Sequence, residues 1–590
     1  MRRAVPRPHL AGLLALILPV AAAAATPLRF TVRYQATLAP GPLDGRLIVL
    51  IAADGSKEPR LQLDIENSTD ATAQAFGVDV EGWAPGRDAA VEGDAVGYPL
   101  PTLSALPAGD YWIQAVLHRY ETFRRGDGQV LKLPPDRGEG QKWNRAPGNL
   151  VSAPRRVHID ARTSGTVALT LDRVLPPIAV PPDTKYLKSV RFRSEKLSRF
   201  WGRDTYLSAL VLLPEGWDAH PAARYPLIVY HSHFSPDLQG YRGEPPDPDL
   251  PPVDLAALAV HCPNGHEDCD RYGYQRMVAE YGWRFHQQWV GPRFPRVLLV
   301  QIQHANPYYD DSYGVNSANV GPYGDAITEE LIPHLERTFR GLGPWARGMY
   351  GGSTGGWISL AVQVFYPDAY NGAIVNCPDP VDFTAYVSVD LTQDRNAYLS
   401  EGPFRRTPRV STRTPEGFTK STMEQDNHAE LVVGTRSRSG GQFDIWEAVY
   451  SPVGSDGYPR RIWDKRTGAI DAEVASYWRE HYDLRHILER DWARLGPKLQ
   501  GKLWINVGNL DTFFLDVAVH RLDDFLRSTA NPRSDAVVRY GSRDGHCWSG
   551  DAEHMNFESR LTYHQRFIPL LVERFLKTAP KGADTTSWRY

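Results

Sequence analysis

Short runs in which apolar and polar residues alternate fill the first third of the chain. They read "LRFTVRY", "RLIVLIA", "RLQLDIE", "DYWIQAVLHRY", "RRVHID" and "TVALTLD", with turn residues between them. Phe30, Val32 and Tyr34 share one parity, as do Tyr111, Ile113, Ala115 and Leu117, the pattern of a strand with one buried face. The pattern predicts a β-sandwich accessory domain over residues 26–175. It ends at "VLPPIAVPPDT", where four prolines between Pro176 and Pro182 remove backbone donors and stiffen the chain, so residues 176–184 are expected to be a linker.

Beyond the prolines the period changes. Continuous apolar runs, "TYLSALVLLP", "YPLIVYHSHF", "RVLLVQIQH", "RGMYGGS", "GAIVNCP", "KLWINVGNLD" and "AVVRYGS", alternate with amphipathic ones such as "DAITEELIPHLERTFR", "GGWISLAVQVFY", "FLDVAVHRLDDFLR" and "HQRFIPLLVERFLK". Apolar strands separated by helices suit a mostly parallel sheet covered on both faces. Residues 185–590 are therefore expected to form an α/β catalytic domain. About 120 residues separate "GAIVNCP" from "KLWINVG", far more than a crossover needs, and they predict a cap-like insertion over about 380–498.

That framework gives Ser353 a setting. With 50 glycines in the chain, the bare pattern Gly351-x-Ser353-x-Gly355 is weak. Here it lies between a strand run (Arg347 to Gly351) and a helical run (Trp357 to Phe365). Such a sharp strand-to-helix turn needs small neighbours and holds a serine hydroxyl out at the carboxyl edge of the sheet. A serine needs a base, usually a histidine oriented by a buried acid, and in α/β-hydrolases the order along the chain is serine, acid, histidine. Asp511 follows "KLWINVGNL" and His546 follows "AVVRY", so Ser353, Asp511 and His546 are the candidate catalytic residues. Asp516, Asp379 and Asp382 compete with Asp511 for the acid's place. The oxyanion hole takes one amide from Thr354 and a second from the loop after "PLIVYH", at His233 or Phe234. The insertion is rich in aromatics (Phe443, Trp446, Tyr450, Tyr458, Trp463, Tyr477, Trp478), most of which are expected to fill its own core. Trp357 and Trp446 are the candidates for contacting substrate.

In these motifs residues 185–578 resemble the putative esterase family, the α/β-hydrolases related to enterochelin esterase, esterase D and feruloyl or acetyl-xylan esterases. "YPLIVYHSHF", "YGDAITEELIPHLERTF", "RGMYGGSTGGWISLAVQVFYPDAYNGAIV", "VGNLDTFFL" and "DGHCW" occur in the family's order. The resemblance implies the α/β-hydrolase fold, hydrolysis of a small-molecule or carbohydrate ester, and the roles above for Ser353, Asp511 and His546. Ser232 stands where the family commonly has glycine, and Thr354 where methionine is more common. Two other readings are kept. One is a serine peptidase of the prolyl-oligopeptidase kind, although about 150 residues without a blade repeat are too few for a propeller. The other is a carbohydrate-binding protein on a hydrolase scaffold, gripping a polysaccharide with "RGEGQKWNRAPGN".

Charge and cysteines narrow the setting. A formal net charge of −3 offers no basic footprint for nucleic acid. Arg2, Arg3 and Arg7 precede "LAGLLALILPV" and a run of alanines, the parts of a secretory leader cut after Ala25. A periplasmic or secreted protein, off the membrane after cleavage, is expected. The four cysteines then admit disulfides, expected as Cys262 with Cys269 and Cys377 with Cys547. "HCPNGHEDCD" and "HSHF" bring Cys262, His266, Cys269, His231 and His233 close in sequence, but neither has the spacing of a zinc site. No metal or other cofactor is expected, and the oligomeric state is left open.

Overall fold

The computed structural model describes residues 27–65, 72–135, 142–162, 165–262 and 267–590. The leader expected at residues 1–25 lies outside them, as does His266.

The N-terminal strands build two sheets. Arg29–Tyr34 lies between Thr166–Leu171, parallel, and Ala89–Val91, antiparallel. The facing eight-stranded sheet is centred on the antiparallel strands Leu43–Ala52, Gln74–Trp83 and Gly109–Arg124. Phe30, Val32 and Tyr34 from the first sheet meet Leu47, Val49, Ile113 and Leu117 from the second in one core, which makes the pair a β-sandwich. One expected strand is absent: "RLQLDIE" begins in a single tight turn, Pro59–Leu61. Pro59 has no amide to give a ladder, and the Gln62 side chain donates to the carbonyls of Asp54 and Lys57 at 2.9 and 2.7 Å, fixing a turn instead.

Residues 175–184 carry no regular structure. A second eight-stranded sheet follows, with strands β1 (Leu187–Ser194), β2 (Thr205–Leu212), β3 (Leu227–His231), β4 (Leu298–Gln303), β5 (Arg347–Gly352), β6 (Ala373–Asn376), β7 (Leu503–Gly508) and β8 (Val537–Gly541). Their spatial order is β1-β2-β4-β3-β5-β6-β7-β8. β2 runs antiparallel to both neighbours, and β3 to β8 are parallel. This is the α/β-hydrolase fold. Helices α1 (Tyr274–Val290), α2 (Ile332–Phe339), α3 (Thr354–Phe365), α4 (Met423–Val433), α5 (Gln442–Tyr450), α6 (Ala472–Tyr482), α7 (Leu484–Leu499), α8 (Leu515–Ser528) and α9 (Tyr563–Thr578) accompany it. α4 starts in a capping box of Thr422 and Gln425. Asp471 caps α6 and Asp483 caps α7; each carboxylate satisfies helix-end amides that have no intrahelical partner.

Between β6 and β7 the chain leaves the sheet edge, forms two short hairpins and helices α4 to α6, and returns through α7, which packs on α3 and α8. Phe443, Trp446, Tyr450, Tyr458, Trp463 and Trp478 are all buried in the main core. The sandwich is tied to this insertion. Ile48, Leu50, Ala75 and Val116 on its outer sheet face pack on Ala429, Val432 and Val433 of α4. Trp143, in the loop considered as a polysaccharide grip, is buried in the same cluster, so that ring is not presented to a ligand. Among the described residues no helix is long and apolar enough to cross a membrane.

Candidate active site

The site forms where β5 turns into α3. Ser353 has φ 56° and ψ −123°, a left-handed conformation that a non-glycine residue adopts only when its surroundings impose it. They do so here: the Ser353 amide donates to the Asn376 carbonyl at 3.1 Å, and the Trp357 amide donates to the Ser353 carbonyl at 3.0 Å. The flanking glycines are required by closeness. A Cβ on Gly355 would lie 2.1 Å from the His231 carbonyl oxygen, and one on Gly351 would lie 2.5 Å from the Gly355 backbone.

The loops after β7 and β8 bring the other two groups. Ser353 Oγ lies 3.1 Å from His546 Nε2, and His546 Nδ1 lies 2.9 Å from Asp511 Oδ2. Asp511 is fully buried, and its Oδ1 accepts the Phe513 amide at 2.9 Å. The Phe513 ring stands edge-on to His546 at 4.8 Å. The His546 carbonyl accepts from Asn556, and the next residue, Cys547, is bonded to Cys377. Cys262 is bonded to Cys269. The histidine loop is thus fixed from three sides beside Ser353.

The competing acids have other partners. Asp516 pairs with Arg413 at 2.9 Å, and burial pushes its carboxyl up to about 6. Asp382 caps the turn at Phe383–Ala385 and faces Arg485 at 3.7 Å. Asp379 is different: its Oδ1 is 3.3 Å from Ser353 Oγ, while Oδ2 accepts from Tyr313 at 2.6 Å and Thr354 Oγ1 at 3.1 Å. Burial raises its carboxyl above the usual range.

A cavity of about 330 Å³ opens over these groups, lined among others by Ser353, His546, His233, Asp379, Gln442 and Trp446. Ile65 of the sandwich also reaches it. Thr354 opens α3, where amides lack intrahelical acceptors and the helix dipole favours negative charge. Ser232 and His233 follow β3 on the facing wall. Trp357, expected to contact substrate, does not line the cavity: it is fully buried, between Tyr313 at 5.4 Å and Tyr450 at 5.3 Å. A residue four beyond the turn lies one helical turn down α3, and that face looks into the core.

Tyr313 and Gln442 were not singled out from sequence. Gln442 donates to Tyr313 and accepts from Tyr309 at 3.0 Å, so the cap reaches the serine through side chains that carry no local motif. His231 is buried and pushed down to about 3 by desolvation. His233 Nδ1 lies 3.1 Å from Asp310 Oδ1 and 3.4 Å from Asp311 Oδ2. Asp310 also faces the Lys142 ammonium at 3.5 Å. Those carboxylates hold the imidazole well above its usual pKa against the cost of desolvation. The three groups are close enough to hold a cation, but two protein cations already balance the two carboxylates.

Residues 304–568 match the family model described as Putative esterase. Over that region the chain is similar to carboxylic ester hydrolases of that family. No curated protein sequence matches the chain. Among solved structures, the chain resembles a ferulic acid esterase at 12% identity and TM-score 0.32, over 66% of this chain and 99% of the other. It also resembles an S-formylglutathione hydrolase from Agrobacterium tumefaciens at 12% identity and TM-score 0.31, over 67% and 98%. A third is the fluorophosphonate-binding serine hydrolase FphF of Staphylococcus aureus, at 13% and 0.29, over 66% and 98%.

Proposed function

We propose that this protein is an exported serine esterase that works through an acyl-enzyme. Ser353 Oγ attacks the ester carbonyl carbon while His546 Nε2 takes its proton, and Asp511 fixes the ring so that Nε2 is the basic nitrogen. The carbonyl oxygen, now negative, is held by the amides of Thr354 and His233. As the C–O bond of the ester breaks, His546 returns the proton to the leaving alcohol. A water then enters and attacks the acyl carbon while His546 takes its proton, and His546 passes that proton to Ser353 Oγ as the acyl–oxygen bond breaks, which frees the carboxylic acid and restores the serine. Trp446 and Ile65 would bound the substrate's apolar part, and a small-molecule or carbohydrate ester fits the cavity volume. Export rests on the leader-like N-terminus and on the paired cysteines.

The observation that carries this reading is the Ser353–His546–Asp511 chain at 3.1 and 2.9 Å. Fluorophosphonate labelling followed by a panel of aryl and sugar esters tests it. Ser353→Ala should fold, take no label and lose at least about a thousandfold in turnover, because triad members act as a unit. Substantial activity in that variant would sink the reading.

A further inference from the structure

Hydrogen-bond donors meet both oxygens of Asp379. Tyr313, Thr354 Oγ1 and Gln442 Nε2 donate to Oδ2 at 2.6, 3.1 and 3.3 Å, and Ser353 Oγ donates to Oδ1 at 3.3 Å. Donors of this kind favour the carboxylate form. The Ser353 hydroxyl, however, has a single proton, and His546 Nε2 stands 3.1 Å from the same oxygen. When that proton points to the histidine, as its transfer to the base requires, Oδ1 has no donor left among the described residues. It is then an unmatched anionic oxygen on a side chain that is 3% exposed and lies on the cavity wall. Such an oxygen is costly. It also draws the serine proton back from the imidazole, since hydrogen bonds to a carboxylate are the stronger kind. A donor brought by the substrate removes both penalties.

We propose that the site is built for esters whose acyl part carries a protonated amine on the carbon next to the carbonyl, with Asp379 Oδ1 as the acceptor of that ammonium. This rests on the reading of Ser353 as nucleophile. On attack the acyl carbon joins Ser353 Oγ, so a nitrogen on the next carbon is three bonds from that oxygen. Oδ1 is 3.3 Å from the same atom, within hydrogen-bond reach of such a nitrogen. The leaving oxygen has to face His546 Nε2, which returns its proton, so a group held by Asp379 belongs to the acyl side of the ester. Charge selects an ammonium over a hydroxyl. A carboxylate near the developing oxyanion opposes the negative charge that forms there, and a cation held on that carboxylate offsets the opposition. The pair also forms out of contact with water, where matched charges attract more strongly than at a surface. The cap keeps the carboxylate in place through Gln442, whose amide donates to both Asp379 and Tyr313.

The test compares kcat/KM, read as acid release, for the ethyl esters of alanine, lactate and propionate and for dimethylaminoethyl propionate, whose amine is on the alcohol. The enzymes are wild type, Asp379→Asn and Ser353→Ala. Wild type should prefer the alanine ester to the propionate ester by about tenfold or more, with the lactate ester between them. In Asp379→Asn the alanine-to-propionate ratio should fall to within about threefold of unity. A ratio taken within one enzyme cancels any general loss that the variant suffers. pH gives a second readout. The substrate ammonium is lost as pH rises through about 8, so the wild-type ratio should be full below that value and decline above it, while that of Asp379→Asn stays flat. Other groups facing Asp379 do not mimic this: His546 and His233 act on every ester alike, and burial holds the hydroxyls of Tyr313, Tyr386 and Tyr450 well above that range. Equal wild-type rates for the alanine and propionate esters would overturn the proposal. So would a ratio that survives in Asp379→Asn, or a preference for the lactate ester or for the amine on the alcohol. Turnover or fluorophosphonate labelling of Ser353→Ala would instead sink the nucleophile assignment. Should Asp379→Asn fail to fold, the wild-type ratios and their pH dependence carry the test.

Discussion

Asp511 and Asp379 both end within one side chain of the Ser353–His546 pair, yet their surroundings give them different chemistry. Asp511 offers Oδ2 to a ring N–H and Oδ1 to the backbone amide of Phe513, a set of donors that suits a carboxylate orienting an imidazolium. Asp379 instead meets the hydroxyls of Tyr313, Thr354 and Ser353 and the Gln442 amide. Asp511→Asn should therefore lower kcat by about a thousandfold or more, because an amide fixes the wrong histidine tautomer, while Asp379→Asn costs far less. Steady-state kinetics on the two folded variants checks the ranking, and the reverse order would move the triad acid to the loop after β6. From sequence alone four aspartates competed for this role. Distance and partners separate them: Arg413 engages Asp516 and Arg485 faces Asp382.

At the level of elements, the β5-turn-α3 unit is held by backbone contacts that leave no room for a methyl group. Gly355→Ala would drive its Cβ against the His231 carbonyl, a backbone atom of β3 that cannot swing aside. The variant should lose about 1–3 kcal/mol of stability, measured by urea unfolding, and more activity than stability, because the turn that aims Ser353 shifts. A wild-type melting curve would show that the loop relaxes freely. A second element departs from its expected form. The run 325–340 predicts one regular helix, but Ala326–Leu331 widens into a π-type turn ahead of α2. Pro333 lacks an amide and its ring crowds the carbonyl a turn back, so the helix relieves the clash by widening.

Across the whole molecule, the sandwich acts as a brace for the cap and the site loops. The buried Arg46 guanidinium donates to the carbonyls of Val432 and Leu431 at 3.0 and 3.1 Å, and Arg125 donates to the Ala318 carbonyl at 3.2 Å. Ile65 and Lys142 extend from the same domain to the cavity wall and to Asp310. The Cys377–Cys547 bond ties the loops after β6 and β8 across a sequence separation of 170. In the chain-entropy model a loop of that size is worth up to ~5 kcal/mol. Replacing both cysteines with serine should lower the unfolding free energy by about 2–5 kcal/mol and slow ester turnover, as His546 loses its anchor. Denaturation curves with and without reductant, read beside kcat, check this. Unchanged stability and turnover would remove the bond from both roles.

The periodicity of the chain was enough to divide it: alternating runs with one buried parity suit half-buried strands, with "RLQLDIE" the exception, and apolar runs between amphipathic ones suit a covered, mostly parallel sheet. The strand-to-helix setting of Gly351-x-Ser353-x-Gly355 and the order of Asp511 and His546 were legible for the same reason, since local geometry and chain order are properties of sequence. What lay beyond it depended on contacts between distant segments. Trp357 reads like any aromatic beside the Ser353 turn, and only the packing of Tyr313 and Tyr450 puts it in the core. Asp379 reads like any loop acid, and only the meeting of Tyr313, Thr354 and the cap's Gln442 makes it a buried carboxyl beside the serine. The sandwich's hold on α4 is likewise absent from any local pattern, because a residue's burial and protonation are set by neighbours that the fold brings from elsewhere.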